Sequence, residues 1–425
     1  MKNPFCLFGK RVAAPGLAVA AVLVLATQAH AVANPTCASL PNPVYIAGSS
    51  AVKPFAAVLA QALAAQATPI TLIYSGPGSC IGVGYMTTNP PGKLTGGGTY
   101  WDTTLATPAF TGTCTTDDVN GGDTVNIGVS DVYAASCSAT LDASVQDFHG
   151  PIQTMTFVVP ISSTGGSTQG AISAEAAYLI YGFGGVTHPV SPWNDASYIE
   201  QRAATSGTQQ MVAAYLGVPA AKFKGHGNGS STLLIGSLAT SLNGANAEKA
   251  IGILGADGAD KNRTSLRELA YQHFNQSCAY LPDSSAMKFD KANTRDGHYP
   301  IWGPLHLITP VTSGVPTNAN VKTVIDYLTL AVAPSFDLIT VEAKGGVVPE
   351  CAMSVAHTEE KDAAPMKAFS PTHSCACKFD VAAAAIAGAS APACATHTCT
   401  AANGTTDAAC PTGAKICNYG YCEAK

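Results

Sequence analysis

Charge is scarce in this chain. Asp, Glu, Lys and Arg make up 12% of its 425 residues, with 27 acids against 22 bases. Proteins that grip DNA or RNA do so through an excess of Lys and Arg, so the acidic balance argues against a nucleic-acid partner. Long apolar runs are missing beyond the N-terminal segment, which leaves no further candidate for a membrane-spanning helix. Motifs of catalysis are missing as well. There is no G-x-S-x-G turn to expose a serine nucleophile, no P-loop lysine and no H-E-x-x-H pair of zinc ligands. These absences point away from an enzyme, and no cofactor and no metal are expected.

What is present begins with MKNPFCLFGKRVAAPGLAVAAVLVLATQAHA. Lys2, Lys10 and Arg11 are a basic start, residues 12–26 an apolar stretch, and Ala29-His30-Ala31 an A-x-A cleavage site. This is the pattern of a secretory signal peptide over residues 1–31, with the mature chain starting near Val32. Export to the periplasm or the extracellular space follows. Loss of the three basic residues takes the formal charge from −5 to −8. Any bound anion must then be held by local geometry, not by a general positive field. Of 14 cysteines, Cys6 leaves with the signal and 13 remain, so most are expected in disulfides and at least one is left over.

With 47% hydrophobic residues, the chain has ample material for a buried core. Helix and strand signals alternate from residue 41 to about 345. PVYIAG, ITLIYSG, TVNIGVSD, MTFVVPI and AEKAIGILG read as strands. SSAVKPFAAVLAQALAAQ reads as a helix capped by Ser49 or Ser50, SAEAAYLIYGFGG as one capped by Ser173, and TSGTQQMVAAYLG as a third. Such alternation predicts an α/β fold with open sheets, whose ligands sit at the carboxyl ends of strands against helix N-termini. Residues 86–123, rich in Gly, Thr and Pro, read as a surface insertion, either a lid or decoration. After Cys351 the composition changes. HTEEKDAAP, residues 357–365, reads as a linker, and the seven cysteines from Cys375 to Cys422 as a disulfide-stapled appendage. A zinc site drawn from His373, Cys375, Cys377, His397 and Cys399 is the weaker alternative, because Cys-x-Cys is not a usual zinc spacing.

Four separated stretches put small hydroxyl and Gly residues at strand ends: IAGSSAV, IYSGPGSCIG, IGVSD and RAATSGT. One has an Arg and one an Asp. An arginine fork, hydroxyls and the free N–H groups of a helix start are the donors an oxyanion needs. Taken singly, Ser50 and Ser206 are also plain N-cap candidates, Ser79 a loop serine, Asp131 a turn residue and Arg202 a surface ion-pair member.

Together and in this order, the stretches resemble the substrate-binding protein of the phosphate ABC importer. AGSSAVKP resembles its first phosphate loop, with Ser50 at the ligand position. YSGPGSCIG resembles the second, with Ser79. IGVSD resembles its acidic strand end, with Asp131. RAATSGT resembles its last loop, with Arg202, Ser206, Gly207 and Thr208. YLIYGFGGVTHPVSPWND, GHGNGSS, KAIGILG and YPIWGPLHLIT follow the same order. The resemblance covers residues 44–348. It implies a two-lobed, type 2 periplasmic-binding-protein-like fold over residues 32–350. Lobe one would take about 44–152 and 299–348, lobe two about 153–298, and the Cys-rich tail 351–425. It implies a monomeric, non-enzymatic binder of inorganic phosphate, delivering to an ABC permease.

Asp131 carries the selectivity in this reading. A carboxylate repels an anion unless the anion brings a proton, which phosphate does at neutral pH and sulfate does not. The chain departs from the family at Ala203, Ala204 and Thr205, where an acid often holds the arginine. Arg202 is then expected to find its partner elsewhere, Asp131 being one choice. Cys80, directly after Ser79, is expected to rigidify that loop through Cys114 or Cys137. The alternatives are another oxyanion or an organic phosphate as ligand, or an exported interaction protein that keeps the fold without the ligand.

Overall fold

The computed structural model describes residues 34–161, 165–185, 187–358, 360 and 366–424. The signal segment, and most of the linker between His357 and Pro365, lie outside the described residues. Among those described, no helix is long and apolar enough to cross a membrane.

The elements that frame the site are, in chain order, β1 (Pro43–Gly48), α1 (Lys53–Ala64), β2 (Thr71–Ser75), α2 (Ser79–Tyr85), β3 (Gly98–Trp101), β4 (Phe110–Cys114), β5 (Ile127–Ser130) and β6 (Val145–Pro160). There follow α3 (Ala174–Phe183), β7 (Ile199–Arg202), α4 (Gly207–Leu216), β8 (His226–Asn228), α5 (Ser231–Gly236), β9 (Ile251–Gly255), α6 (Ala256–Lys261) and β10 (Leu266–Glu268). Last come β11 (Trp302–Thr312), α7 (Ala319–Leu328), α8 (Leu338–Gly345) and α9 (Ala376–Ile386).

The fold is α/β, built on one large sheet in the order β8-β7-β9-β6-β11-β5-β1-β2-β3-β4, with β10 also on β6. Parallel pairs form its two flanks: β1 with β2 and β5, and β7 with β8 and β9. The long β6 joins them. Its N-terminal part pairs with β11, and its C-terminal part with β9 and β10. Each flank buries its own core. Phe157, Tyr181, Trp193 and Met211 pack with Tyr271 and Tyr299 on one side, and Phe55, Leu59, Leu72 and Tyr74 with Leu305 and Val324 on the other.

The sequence signals place most of these elements. Ser173 caps α3 by accepting from the Ala176 N–H at 3.2 Å, and the helix exits through Gly184 at φ 67°. α1 differs from expectation. It begins at Lys53, not at Ser49 or Ser50, with Pro54 in its first turn. The Ser49 hydroxyl accepts from the N–H groups of Ala51 (3.1 Å) and Val52 (3.4 Å), so it closes the turn ahead of the helix. The 86–123 insertion is no simple loop. It supplies β3 and β4, which extend the sheet edge beside β2, and Phe110 stacks on Tyr74 with centroids 4.9 Å apart.

Among the described residues there are six disulfides: Cys37–Cys114, Cys80–Cys137, Cys351–Cys375, Cys377–Cys394, Cys399–Cys417 and Cys410–Cys422. Among the described residues Cys278 is the one free thiol, and it is exposed, in line with the odd count. The three cysteines of the zinc alternative are all in disulfides, which removes their thiolates. α9 of the tail lies on α8 and puts Phe379 and Cys375 against Trp302 and Val348. The number of disulfides fits an oxidising compartment.

Candidate functional site

The loops after β1, β2, β5 and β7 meet where the two flanks of the sheet face each other. Gly48, at φ 145°, makes the first approach possible: a Cβ there would stand 1.9 Å from the Val129 carbonyl oxygen. Ser49 then reaches Asp131, and its hydroxyl donates to Oδ2 at 2.6 Å. The Ser79 hydroxyl donates to the same oxygen at 3.1 Å, and the Tyr74 hydroxyl ties down the Ser49 carbonyl. The Cys80–Cys137 disulfide, one of the two pairings expected, links the residue after Ser79 to the segment after Asp131. It holds the two loops together.

Across from them, Arg202 ends β7 with 1% of its surface exposed. Its guanidinium donates to the Ser50 hydroxyl at 2.8 Å, the Ser231 hydroxyl at 2.8 Å and the Asn228 carbonyl at 3.3 Å. Three of five N–H groups are thus used. Asp131 forms no ion pair with it, contrary to one expectation. An acid does stand behind the arginine, but one step removed. Glu200 accepts from the Asn228 side-chain amide and from the Ser237 hydroxyl (2.8 Å), fixing the residue whose carbonyl Arg202 uses. With Ala203, Ala204 and Thr205 too short or neutral to pair, Asn228 at the end of β8 does the work.

Gly207 opens α4 against Asp131. A Cβ at that position would lie 2.2 Å from Ser79 Oγ and 2.5 Å from Asp131 Oδ2, so only glycine fits. Ser206 occupies the N-cap position, yet its side chain makes no cap hydrogen bond. The plain capping role is therefore not what this serine does. The first N–H groups of α4 have no acceptor within the helix. Thr208 is fully buried, and its hydroxyl has no partner among the described residues.

All seven residues singled out in the sequence thus converge, with Ser50, Ser79, Asp131, Arg202 and Gly207 in direct contact and Ser206 and Thr208 buried beside Gly207. Ser49, Tyr74, Asn228 and Ser231 were missed. Ser49 and Tyr74 stood inside the quoted strand-end motifs, and Asn228 and Ser231 inside GHGNGSS, but spacing alone does not say which polar side chain of a motif faces inward. A cavity of about 340 Å³ borders the site, lined by Ser50, Lys53 and Phe110 on one side and Ser231, Asp257 and Lys261 on the other.

No family model and no curated protein matches the chain. Solved structures do. One is a phosphate ABC transporter substrate-binding protein with bound phosphate from Clostridium perfringens, at 12% identity and TM-score 0.48, covering 72% of this chain and 99% of that one. Another is an ABC-type phosphate transport receptor from Vibrio cholerae, at 14% identity and TM-score 0.44, covering 72% and 100%. A third is the OxyR regulatory domain of a Pseudomonas, at 10% identity and TM-score 0.37, covering 68% and 99%. Likeness this distant leaves the site to be argued from its own atoms.

Burial raises the Asp131 carboxyl above its usual range, opposed by the hydroxyls of Ser49 and Ser79 and by the charge of Arg202. Burial pulls Arg202 down to about 10, while Asp131 pulls it back up, so it stays charged at neutral pH. Asp131 Oδ2 has two donors, but Oδ1 is buried and has none among the described residues.

Proposed function

We propose that this protein is an exported, non-enzymatic solute-binding protein that holds inorganic phosphate between two lobes. The lobes correspond to the two flanks of the sheet, about 44–152 with 299–348 and about 153–298. Donors dominate the site: two spare Arg202 N–H groups, the Thr208 hydroxyl and the N-terminal N–H groups of α4. These suit an anion. The observation that carries the reading is Asp131 Oδ1, a buried acceptor without a donor among the described residues. A fully ionised tetrahedral anion would leave that oxygen unsatisfied and facing like charge, at a cost of roughly 1–3 kcal/mol or more. An anion that keeps a proton satisfies it. Ser50, Ser79, Ser206 and Gly207 complete the cradle, the glycine by letting the helix start come close.

Calorimetric titration of the mature chain with phosphate, arsenate and sulfate tests this. Phosphate and arsenate, which retain a proton at neutral pH, are expected to bind and sulfate to fail. Equal affinity for sulfate would overturn it. Delivery to an ABC permease belongs to the same proposal, and reconstituted uptake with a candidate permease would test it.

The cavity beside Ser50 and Ser231 favours a second reading, in which the ligand is a phosphate ester whose organic part fills that space. A small phosphomonoester that binds at least tenfold more tightly than phosphate would establish it.

A further inference from the structure

A second polar cluster lies outside the anion site. β6 and β11 run antiparallel, and His149 stands opposite His306 in their register. Asp147 precedes His149 by two residues, so the alternation of a strand puts both on one face. An irregularity in β11 between Pro304 and His306 shifts the pairing at this point and re-aims the histidine. As a result Asp147, His149 and His306 bring one ligand atom each to within 4.8 Å of one another. The Tyr133 ring walls the cluster, edge-on to His306 at 4.3 Å and to His149 at 5.6 Å.

Hydrogen bonding within the cluster does not satisfy it. Asp147 Oδ2 and His306 Nδ1 lie 2.7 Å apart and share a proton. That leaves Asp147 Oδ1 and His306 Nε2 buried with no partner among the described residues. His306 is fully buried, whereas the side chain of His149 is 43% exposed. No Lys or Arg among the described residues pairs with Asp147. Asp260, Glu268 and Asp283 form the other carboxylate cluster, and there Lys291 and Arg263 fill the space between the acids.

We propose that Asp147, His149 and His306 bind a divalent transition metal of the Zn²⁺, Ni²⁺ or Cu²⁺ class. Two imidazoles and one carboxylate are the donor set those ions prefer over Mg²⁺ or Ca²⁺, which take oxygen. A metal at the cluster takes one ligand atom from each of Asp147 and His306, and the exposed His149 closes the set from the solvent side. Three protein ligands leave a coordination position for water. The ion would staple β6 to β11, the two long strands that run between the flanks. No short spacing announces these ligands, because His149 and His306 are 157 residues apart in the chain and fit no metal-site pattern.

The test uses the full mature chain, without an affinity tag, carrying Cys278→Ser so that the free thiol takes no metal. After chelator treatment, calorimetry with Zn²⁺ is expected to give one ion per chain. His149→Ala and Asp147→Asn should each weaken binding by at least about tenfold. The Cu²⁺-loaded protein should show two nitrogen couplings by electron paramagnetic resonance, and His149→Ala one. Circular dichroism keeps folding separate from binding, and His149 is exposed enough to be replaced without loss of fold. Absence of stoichiometric binding, or full binding in folded His149→Ala, would overturn the proposal.

Discussion

Two places in this molecule bury opposite charges, and they treat them in opposite ways. In the first, Lys291 lies within 2.7 Å of Asp260 and 3.0 Å of Asp283, and Arg263 reaches Asp283 at 2.6 Å. Burial there pushes Glu268 up toward its neutral form, so three acids and two bases come close to cancelling. In the second, Asp131 and Arg202 are each 1% exposed, yet each is held by neutral hydroxyls and a carbonyl and they do not pair. In the first cluster the cations bond the acids directly, and both oxygens of Asp260 and of Asp283 are engaged, with Glu268 Oε1 left unpartnered among the described residues. The second keeps an acceptor and several donors unused. Buried charges that find each other hold a fold, and buried charges kept apart by serines leave room for a ligand between them.

The largest effect that would sharpen this contrast is on stability. Lys291→Met leaves the acids of the first cluster without their central cation, and is expected to cost about 3–5 kcal/mol in denaturant unfolding. Phosphate affinity of the protein that remains folded should not change. A loss of affinity instead would tie the first cluster to the ligand and break the contrast.

Asp257 is a third case, a buried acid with no cation bonded to it. Burial raises its carboxyl to about 7, against the pull of Lys261, the Gly258 N–H and the Gln153 amide, whose nitrogen lies 2.9 Å from Oδ1. A raised carboxyl stabilises the fold below its unfolded pKa of 3.8 and loses that contribution as pH rises through about 7. Between pH 4 and 8 the loss is on the order of 4 kcal/mol. Asp257→Asn, which keeps the acceptor for Gln153, should flatten this part of the stability–pH profile. A profile as steep in the variant as in the parent would show that Asp257 is not the group titrating.

Arg202→Ala acts on the second cluster. It is expected to cost about 2–5 kcal/mol of phosphate affinity by calorimetry, because a desolvated anion would lose the charged partner that Arg202 supplies. Stability should fall little, since no carboxylate is left unpaired. Arg202→Lys should restore part of the binding but not the forked contacts to Ser50 and Ser231. Full affinity in the Ala variant would remove Arg202 from the site.

Much of the second cluster was legible in the sequence, and almost none of the first. Arg-x-x-x-Ser-Gly-Thr and Ser-Asp are local patterns at strand ends, where the backbone itself presents the groups. The strands PVYIAG and ITLIYSG and the α3 cap were legible for the same reason, being set by neighbours in the chain. Lys291, Arg263 and Asp283 meet only through tertiary packing, and no short spacing announces them. The same limit hid Ser231 from Arg202. It also misplaced the start of α1, because Ser49 is engaged by Asp131, 82 residues away. The strands inside the 86–123 insertion were hidden for another reason. Gly and Thr give a weak alternation, and it is pairing of β3 with β2, and of β4 with β3, that makes them strands.

The smallest expected effect separates the two clusters most finely. Asp131→Asn keeps the shape of the side chain and an oxygen that can accept, but adds an amide that can donate. It also removes a buried negative charge from the face toward Arg202. Phosphate affinity should drop modestly, by about 1 kcal/mol, since one charge-assisted hydrogen bond becomes a neutral one. Sulfate has no proton to offer Asp131, but it can accept from the new amide, so its binding should rise from undetectable to measurable. The informative quantity is the phosphate-to-sulfate affinity ratio at low salt, measured in parent and variant. A fall of at least about tenfold in that ratio is the expected result, equal to 1.4 kcal/mol of discrimination. If the ratio does not move, Asp131 does not face the anion, and its unpartnered oxygen is a structural defect like any other. If the parent already binds sulfate as well as phosphate, the proton is not what the site reads, and the two clusters differ only in how their charges are spaced.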